Sequence, residues 1–377
     1  MASAREVVPF GEQSSLIAYA IQPRPSASSN DDNGHTFVKT IGSCVKFVRN
    51  ALATFKNRIV QMEVRPAQPK ILSVFTTNRC NFSCFYCSRN VDDESSGATN
   101  KYQSNSEFHL DDLRLLLEAY PSIQEVSFVG VGEPFLIADL LPLARMAKEY
   151  GKSVRTISNG TLLHNHWGSI APTFDEISIS LHGLTAAELN AVAKVGQRVF
   201  DQFLANISHL VTEEQSLNPH MRIRASVVGL KHDIGRVARA AEFCKAHGIP
   251  VLDIHNYLPV SLEDTDNCIY DDELQLLEGL GRLCQSYSKW VRINPPVPIR
   301  RNVSKLAWAC PEFFNTLRVD GLGQVCGCTK IMVPRRENGD WRSESDVWNN
   351  NYFVSMRKRF RARSDLPSCC RFCPRAQ

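Results

Sequence analysis

Between residues 71 and 256, short apolar runs alternate with longer stretches in which apolar residues recur at helical spacing. The runs are 71–77, 125–131, 154–159, 176–182, 222–229 and 251–256, and the helical stretches include 110–120, 140–150, 200–210 and 234–247. A strand followed by a helix and then another strand has to cross over, so neighbouring strands lie parallel. Such a sheet is covered by its crossover helices, and the crossovers are right-handed. Six β–α units fall short of the eight that close a complete barrel. The pattern predicts an α/β fold over residues 71–290, a partial (β/α)6 TIM barrel.

The flanks differ. Residues 1–70 read as an N-terminal extension, with a polar Pro/Ser/Asn-rich linker at 23–36. Behind the linker, Ile41, Val45, Val48, Leu52, Phe55 and Ile59 recur at helical spacing, with Lys46, Arg49 and Lys56 among them. This predicts one amphipathic helix docked on the main domain, with a membrane-surface or partner-binding helix as the alternative. Residues 88–106 form a polar loop of a length that is often functional. Pro295, Pro296 and Pro298 mark a boundary, after which 291–377 reads as a small α+β, cysteine-rich module. With 43% hydrophobic and 22% charged residues the composition is that of a globular protein, not a disordered or fibrous one. The net charge of +4 is too small to argue for nucleic acid. No secretory n-region and h-region open the sequence and no run approaches 18 apolar residues, so the expectation is a cytoplasmic chain without a membrane span.

Thirteen cysteines in such a chain point to metal or redox chemistry rather than a disulfide scaffold. Cys44, Cys244, Cys268 and Cys284 are isolated and read as small hydrophobes. The rest form two groups. Cys80, Cys84 and Cys87 follow the first predicted strand at C-x3-C-x2-C spacing, with Tyr86 just before the last. Ligands bind at the C-terminal ends of strands in this fold class. Three thiolates there can hold three irons of a [4Fe–4S] cube and leave the fourth open to a substrate. Zinc with a fourth ligand is the competing reading.

The cysteine loop resembles the cluster motif of the radical S-adenosylmethionine (radical SAM) superfamily. The resemblance continues through Gly130-Val131-Gly132-Glu133-Pro134, which is similar to the family's GGEP motif, with Val131 separating the first glycine from an intact Gly132-Glu133-Pro134. It extends through Ser158-Asn159-Gly160-Thr161 and the segment from Ser178 to Gly183. It implies that Gly130, Gly132, Glu133 and Pro134 receive the SAM amino group, and that Tyr86, Asn159 and Ser180 belong to the same cofactor site. Arg224 is a candidate for the SAM carboxylate, with a rim salt bridge as its alternative.

The second group is Cys310-x17-Cys328 and Cys370-x2-Cys373, with a strand–Gly turn–strand pattern over 317–328. It resembles the twitch domain, the shortened relative of the SPASM module, and implies one auxiliary [4Fe–4S] cluster on Cys310, Cys328, Cys370 and Cys373. Too few residues follow the C-x2-C pair for the longer SPASM pattern. Cys326 and Cys369 are neighbours able to substitute as ligands, and a structural zinc knot is the alternative. Arg357, Lys358, Arg359, Arg361, Arg363, Arg371 and Arg375 surround this group; such a basic shell offsets cluster charge or steers an acidic electron carrier.

The resemblance thus implies two [4Fe–4S] clusters, SAM, a flavodoxin- or ferredoxin-type electron donor and reductive cleavage of SAM to a 5′-deoxyadenosyl radical. The expected substrate is a small polar metabolite that undergoes oxidation, epimerisation or a related tailoring step in natural-product biosynthesis. Maturation of a ribosomally made peptide, radical transfer of an aminocarboxypropyl group from SAM, and a non-catalytic iron–sulfur scaffold are the alternatives. His182 and His255, at predicted strand ends, are the candidates for a catalytic acid or base.

Overall fold

The computed structural model describes residues 68–84, 87, 92–93, 98–99, 107–130, 132–257, 259, 262–301, 310–328, 335–367, 370 and 372–373. The predicted N-terminal helix and linker, most of the 88–106 loop, Tyr86, Cys44, Cys369, Arg371 and Arg375 lie outside these residues.

All six predicted strands are present, several with trimmed ends: β1 (Ile71–Phe75), β2 (Glu125–Val129), β3 (Ser153–Ser158), β4 (Glu176–Ser180), β5 (Arg222–Gly229) and β6 (Val251–Asn256). Four more follow: β7 (Arg292–Asn294), β8 (Thr316–Asp320), β9 (Gln324–Cys326) and β10 (Arg335–Asp340). All ten form one sheet in the order β10-β9-β8-β1-β2-β3-β4-β5-β6-β7. Pairing is parallel from β8 through to β7 and antiparallel for β8–β9 and β9–β10. The strands of the cysteine-rich region are therefore continuous with the barrel sheet: β8 lies against β1 from Ile71–Thr316 to Phe75–Asp320.

Alternation along the strands separates two faces. Val126, Phe128, Val154, Ile177, Ile179, Ile223 and Ala225 are fully buried on the outer face, in one core with the helices. These include α1 (Leu110–Ala119), α2 (Leu140–Glu149), α3 (Ala186–Ala193), α4 (Gln197–His209), α5 (Ile234–Ala246) and α6 (Leu274–Tyr287). Side-chain caps start several of them: Thr185 accepts from the Glu188 N–H at 3.2 Å and Asp233 from the Arg236 N–H at 3.1 Å, each cap contributing about 1 kcal/mol.

The opposite, inner face is polar and tied by ion pairs between adjacent strands. Arg155 pairs with Glu125 (2.7 Å), Arg222 with Glu176 (2.9 Å) and Arg224 with Asp253 (2.5 Å).

The last helix, α7 (Asn351–Ala362), is capped by Asn350, which accepts from the Phe353 N–H at 3.2 Å. The region is moored to α1 by Arg342, which donates to Asp112 at 2.9 Å, and by the Trp348 N–H, which donates to the Tyr120 hydroxyl at 3.3 Å. Arg357 departs from the expected basic shell. It is fully buried and donates to the carbonyls of Phe313 (2.7 Å) and Trp348 (2.9 Å), so it braces the module from inside. Among the described residues, no helix is long and apolar enough to cross a membrane.

Candidate active site

The cysteine loop leaves the C-terminal end of β1 and is fastened to the ends of the next three strands. The Glu133 N–H beyond β2 donates to the Arg79 carbonyl at 2.8 Å. Beyond β3, Asn159 Nδ2 donates to Asn81 Oδ1, and Asn81 Nδ2 to Thr161 Oγ1, both at 2.8 Å. Beyond β4, the Ser83 N–H donates to the Ala193 carbonyl at 3.1 Å, and the buried Phe82 ring meets His182 edge to face at 5.8 Å. Cys84 is buried, Cys80 and Cys87 are half-buried, and the Cys87 N–H donates to the Cys84 carbonyl at 3.1 Å.

Gly132 follows from this fastening. A Cβ added there would stand 2.3 Å from the Arg79 carbonyl oxygen and 2.4 Å from that of Thr77, so no larger residue lets the two loops approach. Gly130 directly follows β2, and Pro134 begins a buried single turn, Pro134–Leu136.

Glu133 is 2% exposed, and its carboxylate brackets two strand ends. Oε1 accepts from the Ser158 hydroxyl at 2.8 Å and the Phe135 N–H at 3.2 Å, while Oε2 accepts from the Asn159 N–H at 2.8 Å. Burial pushes its pKa up from 4.5 to about 7, against the opposing pull of Asn159, Ser158 and Phe135. The folded protein therefore retains a proton that the unfolded chain releases. Stability contributed by this group is complete below pH about 4.5 and falls as pH rises to about 7. Glu133→Gln, neutral throughout, is expected to flatten that part of the stability profile in urea titrations between pH 5 and 7.5. Parallel profiles for the two proteins would mean that this carboxyl is not the titrating group.

Ser180 ends β4 on the inner face, beside Ser226 of β5. His182 lies just beyond it; burial first, and the Arg236 charge second, push its pKa down to about 4, so the ring is neutral near pH 7. His255 is exposed on the inner face, two residues beyond Asp253. Arg224 is placed elsewhere. It is the third residue of β5, level with Ser178 and below the strand's C-terminal end, and Asp253 takes both Nε (2.7 Å) and Nη2 (2.5 Å). This is the salt bridge given above as the alternative reading.

The second cysteine group is buried as well: Cys310, Cys326, Cys328, Cys370 and Cys373 are all at most 8% exposed. Of the other thiols, Cys328 and Cys373 act electrostatically on Cys310, and Cys328 also acts on Cys326, which has Arg318 and Asp320 beside it. Phe372, between Cys370 and Cys373, packs against Cys268, Tyr270 and Ile299, which follow β6 and β7. None of the described cysteines is in a disulfide. Among the described residues, no three or more His, Cys, Asp or Glu side chains stand together as a group that could hold a single metal ion. The donor chemistry nonetheless fits an iron–sulfur cluster, with three thiols on one fastened loop and the C-terminal set enclosed in a core.

The sequence alone assigns Asn81 and Thr161 no part in holding the cysteine loop, and Ser158 none in holding Glu133. The Ser-Asn-Gly-Thr run after β3 was the signal: short polar side chains at a strand end are suited to bond neighbouring backbone and loops.

Residues 74–269 match the family described as the Radical SAM superfamily, over half of the chain. This chain belongs to the radical SAM superfamily. Membership makes it an enzyme and implies SAM and a [4Fe–4S] cluster. Among similar proteins is the tungsten-containing aldehyde ferredoxin oxidoreductase cofactor-modifying protein of Pyrococcus furiosus, 24% identical over 319 residues, 80% of this chain and 86% of that protein. A probable GTP 3′,8-cyclase of Metallosphaera sedula is 30% identical over 193 residues, 51% of this chain and 56% of that protein. Among solved structures, Streptococcus suis SuiB bound to precursor peptide SuiA shares the fold with a TM-score of 0.58 at 15% identity, covering 94% of this chain and 77% of SuiB.

Proposed function

We propose that this radical SAM enzyme modifies a small polar metabolite by hydrogen abstraction, in an oxidation, epimerisation or related tailoring step. The observation that carries this reading is the inner face of the sheet. Its guanidinium and carboxylate groups neutralise one another, Arg155 with Glu125, and Arg222 and Arg224 with Glu176 and Asp253. Toward the mouth lie Ser180, Ser226 and the exposed His255, groups that suit hydroxyl- and amine-bearing ligands. The Metallosphaera relative is named for a nucleotide substrate, in keeping with a small molecule. The likeness to SuiB is one of fold, and its peptide belongs to that protein.

The cluster, when bound, supplies the electron that cleaves SAM to methionine and a 5′-deoxyadenosyl radical. The chain's part is to hold and to orient. Cys80, Cys84 and Cys87 would be the three protein ligands. Gly132 lets the backbone approach, Glu133 braces the strand ends, and Ser180 faces the same mouth. Cys310, Cys328, Cys370 and Cys373 would hold an auxiliary [4Fe–4S] cluster, with Phe372 seating its last two ligands near the mouth. Lys358, Arg359, Arg361 and Arg363 are exposed and suit an acidic flavodoxin- or ferredoxin-type donor.

Anaerobic incubation with SAM, a reductant and panels of polar metabolites or peptides tests the reading. The expected products are 5′-deoxyadenosine and an altered metabolite. Turnover of peptides alone would overturn the substrate class, and 5′-methylthioadenosine in place of 5′-deoxyadenosine would point to aminocarboxypropyl transfer.

A further inference from the structure

The auxiliary cysteines have a charged neighbour. Arg318, 7% exposed in the middle of β8, lies directly across the ladder from Cys326. Its Nη1 donates at 2.7 Å to the carbonyl of Gly327, the residue between Cys326 and Cys328. Its Nη2 pairs with Glu312. The Nε–H is buried and has no acceptor among the described residues.

The Cys-Gly-Cys turn is held from other sides too. The Gly327 N–H donates to the Tyr352 hydroxyl at 3.4 Å, and a Cβ at Gly327 would stand 2.1 Å from the Phe313 ring. A buried donor left without an acceptor is costly, and this Nε–H, on the residue across from Cys326, is open to an acceptor that the bound group would supply. Arginine suits the place because its charge is permanent and its planar fork serves several acceptors at once.

We propose that Arg318 is a positioning residue of the auxiliary site: it holds the Cys326–Cys328 turn, and its buried guanidinium raises the reduction potential of the cluster bound there. The proposal rests on the auxiliary-cluster reading given above. Reduction adds negative charge to the cluster. A fixed cation in a low-dielectric interior stabilises the reduced form more than the oxidised one, and a hydrogen bond from Nε–H to a cluster sulfur acts in the same direction. The result is a better electron acceptor, as an oxidation of substrate would require.

The test uses the full chain carrying Cys80→Ala, Cys84→Ala and Cys87→Ala, so that only the auxiliary cluster contributes. Iron content and the midpoint potential, followed by electron paramagnetic resonance, are measured in this parent and with Arg318→Gln, Arg318→Lys or Glu312→Gln added. About four irons are expected in each. Arg318→Gln should lower the potential. Arg318→Lys, which keeps the charge without the fork, should restore part of the difference. Glu312→Gln, which removes the neutralising carboxylate, should raise the potential, and it decides the matter if Arg318→Gln does not fold. Unchanged potentials in the folded variants, with iron bound, would overturn the role of Arg318. A parent that binds zinc or no metal would overturn the auxiliary-cluster reading itself, and this proposal with it.

Discussion

Replacing Cys80, Cys84 and Cys87 together with Ala is expected to lower the anaerobically reconstituted protein from about eight irons and eight sulfides to about four of each. SAM cleavage should be abolished. The loss should be local, because the loop is fastened through other groups: Asn81 to Asn159 and Thr161, the Arg79 carbonyl to Glu133, and Phe82 in the core. The thermal unfolding profile of the apo-protein should therefore change little. Full retention of iron would sink the assignment of the loop as the open cluster's holder. Stoichiometric zinc with little iron in the unsubstituted protein would instead favour a structural knot.

The second large effect is expected from Gly132→Val. Its Cβ alone would be placed 2.3 Å from the Arg79 carbonyl oxygen, against backbone that has no rotamer to yield. The cysteine loop must then move away from β2, at a cost of about 1–3 kcal/mol or more in folding and with loss of the approach that places the SAM-facing backbone. Binding of SAM, measured by calorimetry on the reconstituted enzyme, should fall at least about tenfold, the equivalent of about 1.4 kcal/mol. Gly196→Ala is the control, since a Cβ there meets nothing within 4 Å. Equal SAM affinity in both variants would show that close contact between the loops is dispensable.

The barrel strands were legible as short apolar runs set between stretches of helical spacing. The three-residue β7 was not, since Arg292-Ile293-Asn294 offers one apolar residue and no period to read. The two strands around the Gly turn at 321–323 were readable locally. Their merger with the barrel was not, because pairing of Ile71 with Thr316 is a long-range choice that no local pattern records. Arg224 and Arg357 show the same limit for charge. Arg224 stands on a strand and Arg357 in a basic run, yet Asp253 answers the first and the carbonyls of Phe313 and Trp348 answer the second. The Gly-Glu-Pro run was visible as a motif. That Glu133 spends both oxygens bracing β2 to β3 needed the partners' positions.

The β1–β8 pairing also bears on how the molecule is made. A nascent chain completes β1, and after it the six parallel strands from β2 to β7, before residues 316–320 leave the ribosome. Throughout that interval β1 presents an unpaired backbone edge beside the cysteine loop, an invitation to strand exchange between neighbouring chains. Chains that stop near residue 300 should accumulate as aggregates, because they lack the segment that seals the edge. Delivery of iron and sulfide to the first loop would then be safest once residues 316–320 have docked on β1.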